Sequence, residues 1–133
     1  MINVFALGDA RRLVSQPLQQ TIMRTYATEN NLSIDFVGWE IALWGQHKML
    51  MSYINNRKAN AFLFFTLYQF WDSGNFQQDV MNEIVTRGFP IYFASERIKI
   101  LNIYELQSLN YELSIAEILS GYKDVDFYCL ESL

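Results

Sequence analysis

The strongest strand signal in the sequence is NAFLFFTL, residues 60–67. An unbroken apolar run of this length, bounded by Asn60 and Thr66, is typical of a strand that is buried on both faces. Strands of this kind lie in the middle of parallel sheets, whose two faces are covered by helices. Residues 60–67 therefore predict the central strand of an α/β fold.

Weaker signals on either side repeat an alternation of strand and helix. Residues 2–7, 32–37 and 90–94 have the composition of strands, and apolar residues at helical spacing follow each of them. This order predicts one three-layer α/β/α domain over residues 1–133, with a central, mainly parallel sheet of four or five strands. The predicted helices are one that opens at Ser15 or Gln16 and ends before Asn30, a second over residues 45–57, a third from Phe76 to Gly88 and a fourth over residues 103–119.

The same patterns predict which residues connect these elements and which face inward. Residues 39–42 and 68–75 are predicted connections, and residues 127–130 are a short apolar tail. The side chains expected to face inward are Leu18, Ile22 and Tyr26 of the first helix and Leu106, Leu109, Leu113 and Ile118 of the last.

Composition excludes several classes of protein. The chain has 133 residues, and its 51% hydrophobic content excludes intrinsic disorder. A single cysteine, Cys129, excludes a disulfide framework and a multi-cysteine metal site. The longest apolar run, residues 61–65, is too short to cross a membrane. The first residues lack the basic and apolar regions of a signal peptide, so we expect a cytoplasmic protein.

The net charge of −4 is concentrated in the last quarter of the chain. Residues 1–100 carry 9 basic and 8 acidic residues, whereas residues 101–133 carry one basic and six acidic residues. We interpret residues 101–133 as an acidic C-terminal helix and tail of the same domain. Phosphate backbones are bound by clusters of Lys and Arg, so this distribution predicts no binding of nucleic acid.

Polar residues follow each predicted strand. They are residues 8–12 (GDARR), 39–40 (WE), 68–69 (YQ) and 95–97 (SER). The carboxyl ends of parallel strands share one edge of a sheet, and ligands of open α/β sheets bind there. We therefore expect these four groups to line one ligand-binding edge.

The loop after the first predicted strand is a candidate anion site. It lacks the glycine-rich patterns of dinucleotide-binding and P-loop proteins, so no cofactor is predicted. Arg11 and Arg12 precede a helix that opens near Ser15, and guanidinium groups beside a helix N-terminus bind anions. The alternative is that the arginines are solvated and Ser15 only caps the helix.

Two carboxylates, those of Glu40 and Glu96, are expected at the same edge. Paired carboxylates carry out acid–base or nucleophilic chemistry at glycosidic bonds. The alternative is that each pairs with an arginine such as Arg24 or Arg97. Gln69 is either a polar group in an aromatic pocket or part of a loop packed on its own aromatic residues.

The remaining reactive residue types point away from metal chemistry. His47 is the only histidine and has no second ligand nearby, and Cys129 has no basic neighbour, so we expect no metal site and an inert thiol. Trp39, Trp44 and Trp71 lie in or near the predicted loops of the edge. They fit either an aromatic platform for a sugar or a dimer interface.

The stretch Arg12-Leu13-Val14-Ser15, followed by Gln16, Gln19 and Gln20, resembles the N-terminal catalytic domain of serine recombinases (resolvases). That family has an Arg-x-Val-Ser stretch after its first strand and then a glutamine-rich helix. The resemblance implies a flavodoxin- or resolvase-like strand order. Residues 66–72 contain no arginine where the family has Asp-Arg-x-x-Arg, so we expect the fold without recombinase activity.

Four segments, spread in order over about residues 8–115, resemble the sporadic carbohydrate cluster protein family of bacterial surface-polysaccharide gene clusters. They are residues 18–26 (LQQTIMRTY), 40–42 (EIA), 65–70 (FTLYQF) and 93–96 (FASE), although Trp71 stands where the family has proline. The resemblance implies a role in sugar or sugar-nucleotide metabolism. Its matched polar positions are Gln19, Arg24, Glu40, Gln69 and Glu96.

These observations predict a protein that binds or acts on an anionic or sugar-like small molecule at the carboxyl ends of its strands, and whether it is an enzyme stays open. The alternative is a non-catalytic oligomeric assembly or regulatory module, and we expect a homo-oligomer. The candidate catalytic residues are Glu40 and Glu96, and the candidate ligand-binding residues are Asp9, Arg11, Arg12, Ser15, Gln19, Arg24, Trp39, Tyr68 and Gln69.

Overall fold

A computed structural model describes residues 2–9, 14–40, 60–72 and 75–123 of the chain. The predicted helix over residues 45–57 and the predicted tail over residues 127–130 lie outside these ranges. The described elements are β1 (Ile2–Asp9), α1 (Gln16–Glu29), β2 (Leu32–Glu40), β3 (Ala61–Phe64), a 3-10 helix (Leu67–Phe70), β4 (Trp71–Asp72), β5 (Asn75–Phe76), α2 (Gln78–Thr86), β6 (Ile91–Phe93), β7 (Ile98–Ile100) and α3 (Ile103–Lys123).

Five of the strands form one sheet in the order β2-β1-β3-β6-β7. The pairs β1–β2, β1–β3 and β3–β6 are parallel, and β7 runs antiparallel to β6. The stretch NAFLFFTL supplies the central strand, because β3 has two neighbours on each side in this order. The predicted α/β class with a mainly parallel sheet is confirmed.

The sheet is covered on both faces because alternate residues of each strand point in opposite directions. On one face, Phe62 and Phe64 of β3 pack with residues of α2 and α3 such as Met81 and Leu106. On the other face, Ala61 and Leu63 pack against α1. That second cluster is made of Val4, Ala6, Met23, Tyr26, Ala27, Leu32, Ala61, Leu63, Phe65, Tyr92 and Ala94. Helices on both faces make this a three-layer fold.

Helix α1 begins and ends where its sequence predicts. The Ser15 hydroxyl accepts a hydrogen bond from Leu18 N at 3.4 Å, and Pro17 lies in the first turn, where its missing N–H costs no hydrogen bond. Asn31 follows the helix with a φ of 58°, a left-handed conformation that asparagine tolerates better than most residues. This capped helix returns the chain to the start of β2, parallel to β1.

The predicted inward orientation of two residues, Leu18 and Ile118, is wrong. Leu18 is 51% exposed, because the buried stripe of α1 runs through Gln19, Met23 and Tyr26, of which only Tyr26 is among the predicted inward residues. Ile118 is 69% exposed, whereas Leu106, Leu109 and Leu113 of the same helix are buried as predicted. In both helices, apolar residues at helical spacing define two possible inward faces, and the sequence alone does not say which of the two meets the core.

Several predicted boundaries are also corrected. Strand β2 continues to Glu40, so Trp39 and Glu40 belong to the sheet and not to a connection. The predicted connection over residues 68–75 contains the 3-10 helix and the start of the β4–β5 ribbon, and Phe76 lies in β5 rather than in α2. The strand β7 was not predicted.

No helix in the described part of the chain combines the length and the apolar content needed to cross a membrane.

Candidate functional site

The carboxyl ends of β1, β2, β3 and β6 bring those predicted polar residues that the structure describes to one edge of the sheet, which we call the carboxyl edge. Asp9 ends β1 and Glu40 ends β2 next to it, with Gly8 paired to Trp39 and Asp9 paired to Glu40. Gln69 lies in the 3-10 helix after β3, and Glu96 lies in the turn between β6 and β7. Their shared edge follows from the parallel pairing of neighbouring strands.

Gln19 ties the end of β1 to Val14, just before α1. Its Oε1 accepts a hydrogen bond from Asp9 N at 3.0 Å, and its Nε2 donates to Asp9 O at 3.0 Å and to Val14 O at 2.9 Å. The side chain is fully buried. Oxygen and nitrogen of this amide both bond to the protein's own backbone, so Gln19 acts as a clamp between Asp9 and Val14.

Trp39 lies against Gly8 beside this clamp. A β-carbon on Gly8 would come within 2.2 Å of Trp39 Cζ3 and 3.0 Å of Gln19 Oε1, so only glycine fits under the indole. The indole itself is half-buried. Trp39 therefore packs tightly on the end of β1 while part of its surface stays accessible at the carboxyl edge.

Gln69 holds the segment after β3 in a second set of backbone hydrogen bonds. Its Oε1 accepts from Thr66 N at 2.9 Å, and the Thr66 hydroxyl accepts from Tyr68 N at 3.3 Å, which together cap the 3-10 helix. Its Nε2 donates to Leu7 O at 3.1 Å. The buried amide thus ties the 3-10 helix to β1, and Gln69 lies inside the frame of the edge.

Glu96 connects the turn after β6 to the same segment. Its Oε2 accepts from the Thr66 hydroxyl at 2.6 Å, and its Oε1 accepts from Leu67 N at 2.7 Å. The residue is half-buried. Short hydrogen bonds to a carboxylate are among the stronger ones in proteins, so Glu96 holds two strand ends together.

Replacing Glu96 by glutamine is expected to lower the free energy of unfolding by about 1–2 kcal/mol, because one of the two acceptor oxygens becomes an NH2 group that meets a donor. Urea unfolding followed by circular dichroism measures this loss. Glu83→Gln is the matched control: its carboxylate pairs at 2.7 Å with Arg87 on the surface of α2, and such pairs contribute little. Equal losses in the two variants would contradict the role of Glu96.

The structure also describes four other residues that were predicted to bind the ligand. Ser15 caps α1, as its alternative interpretation predicts. Arg24 is exposed on α1, about 13 Å along the helix axis from Ser15, so the structure does not bring it to the carboxyl edge. Tyr68 is half-buried, with its ring centroid 5.9 Å from that of Phe76. Asp9 is buried at the end of β1.

Arg97 does not pair with Glu96. It forms an ion pair with Glu29 at the end of α1, and its guanidinium lies 6.0 Å from the centre of the Tyr26 ring. Tyr26 and Tyr92 pack together below it, and burial raises the pKa of both phenols above the usual 10. Arg97 thus joins the β6–β7 turn to α1 on one face of the sheet.

The predicted residues Arg11, Arg12, Trp44, His47 and Cys129 lie outside the described residues, as does the side chain of Glu40. Within the described part of the chain, no group of three or more His, Cys, Asp or Glu side chains is placed to hold a metal ion.

Two residues that shape the carboxyl edge are not among the predicted site residues. Thr66 and Val14 both contribute to the frame, Thr66 through its hydroxyl and Val14 through its carbonyl oxygen. The pattern Thr66-x-x-Gln69 is a capping-box signature and would have identified the first. No sequence signal identifies the carbonyl of Val14.

Among solved structures, the fold is similar to that of a resolvase family site-specific recombinase from Streptococcus pneumoniae. The alignment covers 99% of this chain and 98% of that chain, with a TM-score of 0.64 and 14% sequence identity. At this identity the likeness shows the fold alone, and it confirms the predicted resolvase-like arrangement. No protein-family model and no curated protein matches the chain.

Proposed function

We propose that the protein binds an anionic, carbohydrate-related small molecule at the carboxyl edge. The observation that carries this proposal is the Gln19 clamp, which ties Asp9 to Val14, the described residues on either side of the segment that contains Arg11 and Arg12. Guanidinium groups that precede a helix N-terminus are suited to hold an anion, because the backbone N–H groups and the helix dipole add to their charge.

The neighbouring side chains suit the rest of such a ligand. Trp39, Tyr68 and Glu96 are each half-buried at or beside the carboxyl edge. Aromatic surface together with a few fixed polar groups is the usual lining of a small-molecule site. We infer that Gln19 and Gln69 position the edge, and that contacts to the ligand come from Arg11, Arg12 and these partly exposed side chains.

The sugar-like class of ligand is supported by the resemblance to the sporadic carbohydrate cluster protein family. Three of its matched polar positions, Gln19, Gln69 and Glu96, form the frame of the carboxyl edge in this chain. These three matched residues therefore keep the edge in shape, as expected where the geometry of a binding site matters, whereas Arg24, a fourth matched residue, lies away from the edge on α1.

The test is a thermal-shift titration of the purified chain with UDP-glucose, inorganic phosphate and glucose at millimolar concentration. We expect UDP-glucose to raise Tm by several degrees, since a ligand far above its Kd stabilises the folded state by about 2–3 kcal/mol. Phosphate alone should produce part of this rise and glucose little. The Arg11→Ala/Arg12→Ala double variant should lose the rise.

Arg87→Ala is the control, because Arg87 lies at the end of α2 and pairs with Glu83. It removes one surface cation away from the proposed site, so the rise should be unchanged. No rise with any of the three compounds would contradict the proposal. A full rise in the double arginine variant would contradict the assignment of the anion to the loop after β1.

We propose that this edge binds a ligand, and we do not assign it a reaction. The Glu96 carboxylate is engaged with Thr66 and Leu67, which favours a structural role over proton transfer. The segment after β3 also carries no arginine over residues 66–72, so recombinase chemistry on DNA is not part of the proposal. A glycosidic reaction would instead require Glu40, and Glu40→Gln assayed on the ligand identified above decides this.

A second candidate function is a non-catalytic assembly module, and a specific observation favours it. Helix α3 exposes a series of large apolar side chains on the side away from the core, among them Tyr104, Tyr111 and Ile118. Monomeric proteins rarely leave such a row uncovered.

A further inference from the structure

The hydroxyl group of Tyr26 is buried without a hydrogen-bond partner. Tyr26 lies on the buried side of α1 and is 2% exposed, and its hydroxyl has no partner among the residues that the structure describes. Buried hydroxyl groups are nearly always bonded to protein, water or a ligand, because an unpaired one costs free energy. The Tyr26 hydroxyl therefore points to an occupant that the described part of the chain does not supply.

The side chains near Tyr26 offer mainly hydrogen-bond donors. The centre of the Tyr92 ring lies 6.3 Å from that of Tyr26, and the Arg97 guanidinium lies 6.0 Å from the centre of the Tyr26 ring. Tyr92 is paired with Lys99 between β6 and β7, and residues directly opposite in antiparallel strands have neighbouring side chains on one face of the sheet. We call Tyr26, Tyr92, Arg97 and Lys99 the tyrosine cluster. It lies on the face of the sheet that α1 covers.

Both phenols of the tyrosine cluster keep their protons at neutral pH. Burial raises the pKa of Tyr26, and Tyr92 raises it further, whereas Arg97 lowers it. Burial also raises the pKa of Tyr92. A protonated phenol can donate a hydrogen bond, and a guanidinium group can only donate. The cluster therefore suits a group that accepts hydrogen bonds and carries negative charge.

A carboxylate already lies beside the cluster. Arg97 forms its ion pair with Glu29, and the two side chains are 62% and 45% exposed. Exposed ion pairs contribute little to stability, so another anion can replace Glu29 at low cost. Guanidinium and carboxylate groups match each other in shape and form two parallel hydrogen bonds. A ligand carboxylate that takes the place of Glu29 on Arg97 would lie close to the two phenols.

We propose that Tyr26, Tyr92 and Arg97 bind the carboxylate group of a small organic acid. The two oxygens of a carboxylate accept about four hydrogen bonds, which is enough for both phenols and the guanidinium. Lys99 adds positive charge on the same face, and Glu29 competes with the ligand for Arg97. Because Tyr26 is almost wholly buried, a small acid reaches its hydroxyl more readily than an acidic protein does.

The proposed site is distinct from the carboxyl edge. Tyr26 lies about 16 Å along the axis of α1 from Ser15. None of the four residues of the tyrosine cluster is among those proposed to contact a ligand at the carboxyl edge. The inference therefore goes beyond the proposed function and does not rest on it.

NMR of the full chain, labelled with ¹³C at the tyrosine Cζ atoms, tests the site with sodium acetate. The chain has eight tyrosines, and the variants Tyr26→Phe and Tyr92→Phe identify the two resonances of interest. We expect acetate at millimolar concentration to shift both of them. Sodium chloride at the same concentration is the control, because salt alone weakens the pair of Arg97 and Glu29. Equal shifts with the two salts would overturn the proposal.

Three substitutions should change the affinity for acetate in different directions. Tyr26→Phe keeps the ring but removes the hydroxyl, so the dissociation constant followed at the Tyr92 resonance should rise about tenfold. Arg97→Gln should raise it at least as much, because the cation is lost. Glu29→Gln should instead lower it about threefold, because Arg97 loses its competing carboxylate. Tyr111→Phe is the matched control, since Tyr111 is 70% exposed on α3 and the affinity should not change.

A merely structural role of these residues would give different results. If water alone occupies the Tyr26 hydroxyl, acetate leaves both resonances of the wild-type chain in place, and that result would overturn the proposal. An unchanged dissociation constant in Tyr26→Phe would overturn it as well. A weaker affinity in Glu29→Gln would show that the ligand does not take the place of Glu29 on Arg97, which also contradicts the proposed site.

Discussion

Replacing Gln19 by leucine is expected to lower the free energy of unfolding by about 4 kcal/mol. The substitution nearly preserves the side-chain volume but removes the bonds to Asp9 N, Asp9 O and Val14 O. Gln19 is fully buried and Asp9 almost so, which leaves the Asp9 N–H and carbonyl without water to replace the amide, whereas Val14 is half-buried. A buried donor or acceptor without a partner costs about 1–3 kcal/mol.

Urea unfolding measures the loss, and the neighbouring substitution Gln20→Leu provides the control. Gln20 is only half-buried and lies outside the buried stripe of α1, so we expect a change within about 0.5 kcal/mol. Gln19→Glu is informative as well, because it keeps the oxygen that accepts from Asp9 N but loses both donors. A loss below about 1 kcal/mol in Gln19→Leu would show that the bonds of Gln19 to Asp9 and Val14 contribute little to stability.

Gly8→Ala is the second substitution with a large expected effect, a loss of about 3 kcal/mol. The added methyl group would lie 2.2 Å from Cζ3 and 2.5 Å from Cε3 of Trp39, far inside contact distance. Gly8 is the penultimate residue of β1 and is paired with Trp39 of β2, so its backbone has little room to shift. The indole must move to relieve the overlap.

A double-mutant cycle with Trp39→Leu isolates this overlap. If the indole causes the loss, Gly8→Ala should cost about 2 kcal/mol less in the Trp39→Leu background than in the wild type. Near-ultraviolet circular dichroism of Gly8→Ala should change together with the stability, because the indole leaves its position. Strictly additive losses would refute the close packing of Gly8 and Trp39.

The layered architecture could be predicted from the sequence because a strand that is buried on both faces consists almost entirely of apolar residues. Residues 61–64 are apolar without interruption, and the structure buries all of them between two layers of helices. The N-terminus of α1 was predictable for a local reason, since Ser15 and Pro17 favour one backbone conformation independently of the rest of the chain.

Features that depend on distant contacts could not be predicted. Leu18 and Ile118 fit an apolar helical spacing, yet the core lies on the other side of each helix. The strand β7 is only three residues long, and its antiparallel pairing with β6 depends on the turn over residues 94–97, where Arg97 has a φ of 58°. Short strands carry too few residues for an alternating pattern to be recognised.

The candidate site was predictable in position but not in the roles of its residues. Strand ends alone place Asp9, Gln69 and Glu96 at one edge. Glutamine is usually an exposed residue, so nothing in the sequence indicates that Gln19 and Gln69 are buried and bonded to backbone groups ten and sixty-two positions away. Those roles depend on which carbonyl and N–H groups the fold leaves unpaired.

The two outer strands of the described sheet bear on how the chain avoids aggregation. Strand β7 is short and carries the exposed Lys99, and the pairing of β2 is interrupted next to the exposed Asp35. Charged residues, short length and bulges on an outer strand all discourage another chain from adding a strand there. We therefore expect the sheet to resist growth into fibrils at either edge of its described part.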